Sequence, residues 1–218
     1  MTKKSKSMTA IEHEAILRAD PEWVRDFEER EAKHQARVAR LREEMEPEEA
    51  PLRAELATAG VTFRPGKIVQ WESKGTITSS DPIPVRSVWD LVNTKSSYPE
   101  AIPILYKHLR TATHPVMVES LARALTVKEA CGPQARGILE KFQRMDFLES
   151  TPTTPKNEVR QCLANALTVV GDETMVEEIK ALIADPRHAD IKRDLNDALR
   201  HCESVARRKP KGKKKAGP

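Results

Sequence analysis

The spacing of apolar residues predicts helices over most of the chain. After Asp20 and Pro21, a thin apolar stripe recurs at helical intervals amid charged residues: Trp23, Phe27, Val38, Leu41 and Met45. Asp20 is a typical capping residue and Pro21 suits a first helical turn, so a long charged helix is predicted from this point. A second helix is predicted over 48–59, with Gly60 at the left-handed position that follows it. We interpret residues 20–60 as a helical hairpin, with a solvated or coiled-coil-like arm as the alternative.

Residues 61–84 differ in character from the segments on either side. Gly and Pro residues interrupt two short runs, KIVQW and TIT, which have the composition of strands. This segment is predicted to be a connector, either a linker or a small β-hairpin. Trp71 within it is interpreted as a clasp onto the helical body, with a binding role as the alternative.

A repeated pattern begins at residue 85. The run SVWDLVN predicts a short helix, and three helix pairs are predicted after Pro99. The second helix of each pair carries the spacing LxxAL, which begins at Leu121, Leu163 and Leu195. The first and third pairs align 74 residues apart, and the second helix of the middle pair follows the first by 42 residues. Because Leu at i and i+4 and Ala at i+3 share one helix face, we predict that the three leucines are equivalent core residues.

Over about residues 98–205 this pattern resembles the HEAT-like repeat family, in particular its short bacterial form. The stretch GDETMVEEIKALIADPRHADIKRDLNDAL carries the likeness: a Gly-Asp turn, a helix, an Asp-Pro turn and a second helix. The first unit departs from it, with Lys128 and Glu129 in place of the Gly-Asp turn. The resemblance implies an all-α fold in which residues 85–206 form a short α-solenoid of stacked helix pairs. It defines no function, because HEAT-like proteins include scaffolds, adaptors, lyase-related proteins and DNA-lesion binders.

Charge is distributed unevenly along the chain. The net charge is +4, but seven cations lie in residues 207–218, so the remainder carries a net charge of −3. Residues 1–8 and the final stretch KPKGKKKAGP are polar and basic and cannot bury enough apolar surface, so we expect a mobile amino terminus over 1–19 and a disordered tail over 207–218. The cations of the tail are candidates for contacts with nucleic-acid phosphates: Arg207, Arg208, Lys209, Lys211, Lys213, Lys214 and Lys215.

The sequence shows no catalytic, cofactor-binding or metal-ligating pattern. His201 and Cys202 are adjacent, so on a helix they point about 100° apart. Cys162 has no His beside it and is interpreted as a small buried hydrophobe. No phosphate-binding loop, dinucleotide fingerprint, nucleophile elbow or zincin motif occurs. We therefore predict a protein that is not an enzyme and binds no cofactor or metal.

Cysteine usage and hydropathy bear on the compartment. The three cysteines are widely spaced and form no CxxC pair, and the first residues lack the apolar stretch of a signal peptide. No apolar run approaches the roughly 20 residues that a membrane-spanning helix needs. A cytoplasmic protein without a membrane span is expected.

These observations favour a non-catalytic protein–protein interaction or scaffold module, with another protein as its partner. The predicted binding surface is a polar row along the second helices: Glu119, Arg123, Gln161, Asn165, Arg193 and Asp197. The alternative interpretation of this row is an ordinary solvated helix face with no binding role. The alternatives are a nucleic-acid-associated protein that uses the basic tail and a face of the stack, and a lyase-like enzyme on a HEAT-like platform. The sequence leaves the oligomeric state, the pathway and the identity of the partner open.

Overall fold

The computed structural model describes residues 19–64, 82–94, 96–144 and 156–208. Helices dominate these ranges, which confirms the expected all-α class. In chain order, helices α1 to α8 are Pro21–Thr58, Val88–Val92, Ile102–Thr111, Pro115–Ala124, Arg136–Gln143, Lys156–Val170, Val176–Ala184 and Lys192–Arg208. Two strands, β1 (Thr62–Phe63) and β2 (Ile83–Pro84), pair antiparallel with Thr62 opposite Pro84. The chain divides into two compact units after Glu46, and each is described by itself.

Helix α1 runs for 38 residues without a break, so the predicted hairpin is wrong. Asp20 begins the helix as predicted, because its Oδ1 accepts the Glu22 N–H at 2.9 Å. Pro47 and Pro51 lie inside this helix, and each removes a helical hydrogen bond. Pro47 leaves the Glu43 carbonyl without its helical donor. Glu43 and both prolines are exposed, so solvent can replace the lost bonds. The helix therefore continues through both prolines, because the backbone groups that lose their hydrogen bonds are at exposed positions.

The end of α1 closes with the left-handed glycine that the sequence predicts. Gly60 has φ 69°. Its N–H donates to the Ala57 carbonyl at 3.0 Å, and the Val61 N–H donates to the Leu56 carbonyl at 2.9 Å. This pair of bonds satisfies carbonyls that the helix end would leave unpaired. Leu52 and Leu56 are fully buried and form the inward face of this last segment.

Two glutamates near the end of α1 cap other helices of the second unit. Glu48 Oε1 accepts the N–H groups of Thr113 and His114 at 2.9 and 3.0 Å, at the start of α4. Glu49 Oε1 accepts the Val88 N–H at 3.1 Å, at the start of α2. The first N–H groups of a helix have no partner within it and carry partial positive charge, so carboxylates stabilise them. These bonds fix the last turns of α1 onto the repeat region.

The predicted connector is described only at its two borders. The pairing of β1 with β2 joins those borders, close to where the sequence suggests a small β-hairpin. The KIVQW and TIT runs and Trp71 lie outside the described residues, as do the STPTTP segment and residues 1–18. The expectations for those segments, and for a mobile amino terminus, stay predictions.

Three helix pairs follow Pro99, as predicted: α3 with α4, α5 with α6, and α7 with α8. The second helices pack in chain order, with α4 against α6 and α6 against α8, and α2 packs on α4. The first helix α3 packs on α5. Glu178 of α7 accepts hydrogen bonds from Arg136 and Gln143 of α5. The buried apolar side chains of these helices form the core of the second unit.

Burial confirms the predicted register of the repeat. Leu121, Leu163 and Leu195 are each fully buried, one in the second helix of each pair. The alanines three residues further on are also fully buried: Ala124, Ala166 and Ala198. Small side chains at these positions allow the neighbouring second helices to approach closely. The first Leu and the Ala of each LxxAL set therefore lie on the buried face of its helix.

Candidate protein-binding surface

The six residues of the predicted row differ in their exposure. Arg123, Asn165 and Arg193 are exposed, and Gln161 and Asp197 are half-buried. Glu119 is buried, so its assignment to a solvent-facing row is wrong. The reason is that α4 packs against α2, α3 and α6 at once, which covers more of its circumference than helical periodicity predicts.

The buried carboxylate of Glu119 is paired with a cation. Arg123 Nε lies 2.8 Å from Glu119 Oε1, one helical turn away on α4. The Glu119 side chain is 11% exposed and that of Arg123 is 48% exposed. A buried charge needs such a partner, and the pair in turn restricts the rotamers of the arginine. Arg123 is thus held at the surface in a defined orientation.

A tryptophan from outside the predicted row lies under Arg123. The guanidinium carbon of Arg123 is 5.9 Å from the centre of the Trp89 ring, within the range of a cation–π contact. Trp89 is half-buried in α2. Ser87 and Asp90 fix the start of α2 through a capping box. Sequence reasoning placed Trp89 on this short helix but gave it no role, because its proximity to Arg123 depends on how α2 packs against α4.

Helix α6 contributes the other side of this site. Arg123 interacts electrostatically with the Cys162 thiol and with Glu158, which is exposed. Asn165 follows Glu158 by two helical turns and therefore lies on the same face of α6. We call the set Trp89, Glu119, Arg123, Glu158 and Cys162 the Arg123 patch. It joins three helices, α2, α4 and α6, at one place on the surface.

The chemistry of the Arg123 patch is suited to binding. Burial raises the pKa of the Cys162 thiol to about 11, an effect that the positive charge of Arg123 only partly offsets. Because the thiolate is the nucleophilic form, this thiol is unreactive near pH 7. Arg123 presents a planar guanidinium that can accept a carboxylate in two parallel hydrogen bonds. The neighbouring Trp89 ring adds apolar surface.

The third helix pair contributes charge but no comparable cluster among the described residues. Asp197 forms an ion pair with Arg200 on the same helix. Arg160 of α6 reaches the 3-10 segment that precedes α8, where it donates to the Arg187 carbonyl and to Asp190 Oδ2, both at 2.7 Å. These contacts join the second pair to the third, so their evident role is structural.

Other predicted features fall partly outside the described residues. Arg207 and Arg208 are exposed at the end of α8, whereas the tail lysines from residue 209 onward are not described. His201 is half-buried and Cys202 is buried. Within the described ranges, no three His, Cys, Asp or Glu side chains lie where they could hold a metal ion together. The helices in the same ranges are each too short or too polar to cross a membrane.

Comparisons with known proteins identify no relative: no protein-family model, no curated protein and no solved structure matches this chain. The HEAT-like family expected from the repeat therefore stays a prediction.

Proposed function

We propose that this chain is a non-catalytic interaction module, built on a short HEAT-like stack, that binds another protein through the Arg123 patch. The observation that carries the proposal is the contact of Arg123 with Trp89 at the surface of three packed helices. Arginine and tryptophan are the residue types most enriched where truncation weakens protein complexes most strongly.

The rigidity of the Arg123 patch supports this proposal. A long cationic side chain normally loses rotamer freedom when a partner immobilises it, which weakens binding by about 0.5–1.5 kcal/mol. Glu119 and Trp89 already restrict Arg123 in the unbound protein. A partner carboxylate would therefore find the guanidinium close to its bound orientation.

Charge indicates the kind of partner segment. Arg123 is half exposed between the buried carboxylate of Glu119 and the exposed carboxylate of Glu158. A surface of mixed sign favours a folded or extended protein segment that carries both an acidic and a basic or amide side chain, since matching such a pattern gives specificity. Glu158 next to Arg123 disfavours a uniformly anionic ligand at this site.

Affinity capture with and without nuclease tests the class of partner. The full-length protein is immobilised and exposed to extract of the cells that make it, and the bound proteins are compared before and after DNA and RNA are digested. We expect a protein partner that resists digestion, both with the full chain and after deletion of 207–218. Loss of all bound protein on digestion would contradict the proposal and favour nucleic-acid association through the basic tail.

Site-specific crosslinking then locates the surface. A photoreactive residue is introduced at Asn165, which is exposed on the Glu158 face of α6, and at Arg110 of α3 as the matched control. We expect the partner to crosslink from position 165 and not from position 110. Crosslinking from position 110 alone would move the interface away from the Arg123 patch.

A further inference from the structure

The part of α1 in the first unit carries a seam of side chains with heptad spacing. Intervals of three and four residues alternate along it without interruption: Val24, Phe27, Glu31, His34, Val38 and Leu41. Alternation of three and four is the spacing that keeps a seam on one side of a helix when two helices coil around each other. We call these six residues the arm seam.

The arm seam is open to solvent at its centre. Phe27, Glu31 and His34 are exposed, and Phe27 is the one large hydrophobic side chain among the described residues that is exposed, at 49%. The ring of Trp23 stacks on that of Phe27 at 5.2 Å and extends the apolar surface. Residues 19–46 contain no second described element on which this seam could pack.

The arm seam is complementary to itself when one copy is reversed. In an antiparallel pair, the first and fourth heptad positions of one helix face the fourth and first positions of the other. In one register, Val24 faces Leu41 of a second copy, and Phe27 faces its Val38. At the centre, Glu31 faces His34 of the second copy. Apolar residues thus meet apolar residues, and a carboxylate meets an imidazole that can donate a hydrogen bond to it.

A parallel pair lacks this complementarity. It would set Glu31 against Glu31 and His34 against His34, which places like groups opposite each other at the centre of the seam. The flanks do not discriminate, because each orientation brings two arginines together: Arg37 with Arg42 in the parallel pair and Arg30 with Arg37 in the antiparallel one. Flanking side chains reach solvent, which screens both pairs. The central pair of Glu31 and His34 therefore selects the antiparallel orientation.

We propose that two copies of this chain associate through the arm seam as an antiparallel coiled coil, with two central pairs of Glu31 and His34. The proposal is independent of the Arg123 patch, because it rests on α1 alone. A polar pair at one level of an otherwise apolar seam sets register and orientation.

Charge variants of the full-length chain test both association and orientation by analytical ultracentrifugation. We expect a wild-type dimer, and we expect Glu31→Lys and His34→Glu each to weaken it by at least about tenfold. His34→Glu sets two carboxylates opposite each other, and Glu31→Lys replaces the carboxylate that accepts from His34 with a cation. The double variant Glu31→Lys, His34→Glu restores opposite charges in the antiparallel register only, so its dimer should recover. Glu43→Lys is the matched control, since Glu43 is exposed on α1 and lies outside the seam.

The outcomes separate the alternatives. Stable dimers form at concentrations well below about 100 µM. A wild-type chain that stays monomeric up to that concentration would overturn the proposal. A double variant that stays as weak as the single variants would overturn the antiparallel register. Because all three positions are exposed, circular dichroism should show unchanged helicity in every variant.

Discussion

Gly171 shows how one residue position limits the approach of two helices. It follows α6, and a Cβ at this position would lie 2.6 Å from the Cys202 sulfur of α8 and 2.6 Å from the Leu167 carbonyl oxygen. Real Cβ atoms do not approach other atoms so closely. The Gly of the Gly-Asp turn is therefore required by packing, since its φ is not in the positive range.

We predict that Gly171→Ala lowers the free energy of unfolding by about 1–3 kcal/mol, the usual effect of overpacking. Gly137→Ala is the control, because its added Cβ would meet Tyr106 at an ordinary 3.7 Å. Gly137 lies inside α5, where Ala is favoured over Gly by up to about 1 kcal/mol. Urea denaturation measures both changes. A free energy of unfolding that Gly171→Ala leaves unchanged, or that both substitutions lower equally, would contradict the conclusion that packing requires Gly171.

The three thiols should differ in reactivity. Burial raises the pKa of Cys162 and of Cys202 to about 11, whereas Cys131 is exposed and its pKa is also raised by partial desolvation. At pH 8 the buried thiols are thus almost wholly protonated and covered, so we expect a thiol reagent to label Cys131 first and the other two only on unfolding. Mass spectrometry of the labelled protein measures the order. Early labelling of Cys162 would contradict the burial of its thiol beneath Arg123.

At the residue scale, the chemistry of the helix ends was predictable, whereas the burial of the charged residue Glu119 was not. Asp20 and Gly60 act at helix ends in ways that depend on neighbours within a few residues. The burial of Glu119 depends on α2, some thirty residues earlier in the chain, folding back onto α4. The spacing of apolar residues on one helix predicts which side is buried, but it does not predict how many other helices pack against it.

At the scale of elements, the repeat register was predictable because it is a short-range pattern. Leu163 lies on α6, which packs between α4 and α8. We predict that Leu163→Ala lowers the free energy of unfolding by roughly 2–5 kcal/mol, because it leaves a cavity in a fully buried site. Asn165→Ala, on the exposed face of the same helix, should change it by less than about 0.5 kcal/mol. Equal shifts in the denaturation midpoint would mean that the register is wrong.

The continuity of α1 was not predictable from its prolines. A proline inside a helix is destabilising by about 3 kcal/mol in isolation. The segment after Pro47 compensates through long-range contacts, with Glu48 and Glu49 capping α4 and α2 and with Leu52 and Leu56 in the core. The capped helices are far from the prolines in the sequence, so the residues next to each proline do not reveal this compensation.

At the scale of the whole molecule, the sequence predicted the order of helix pairs but only part of the candidate surface. Arg123 and Asn165 were on the predicted row and are exposed, whereas Trp89 was not on it. If two copies associate through the arm seam, each assembly carries two Arg123 patches. A partner with two binding segments would then gain affinity from simultaneous binding.

The most direct measurement is the affinity of the captured partner for a variant in which the charged pair of the Arg123 patch is neutralised. Glu119→Gln and Arg123→Gln are combined, so that no buried charge is left without its partner, and Arg110→Gln on α3 is the control. Calorimetry should show binding weakened about tenfold or more in the double variant and unchanged in the control, with little change in melting temperature in either. Equal affinity for the double variant and the wild-type protein would contradict the assignment of binding to this surface.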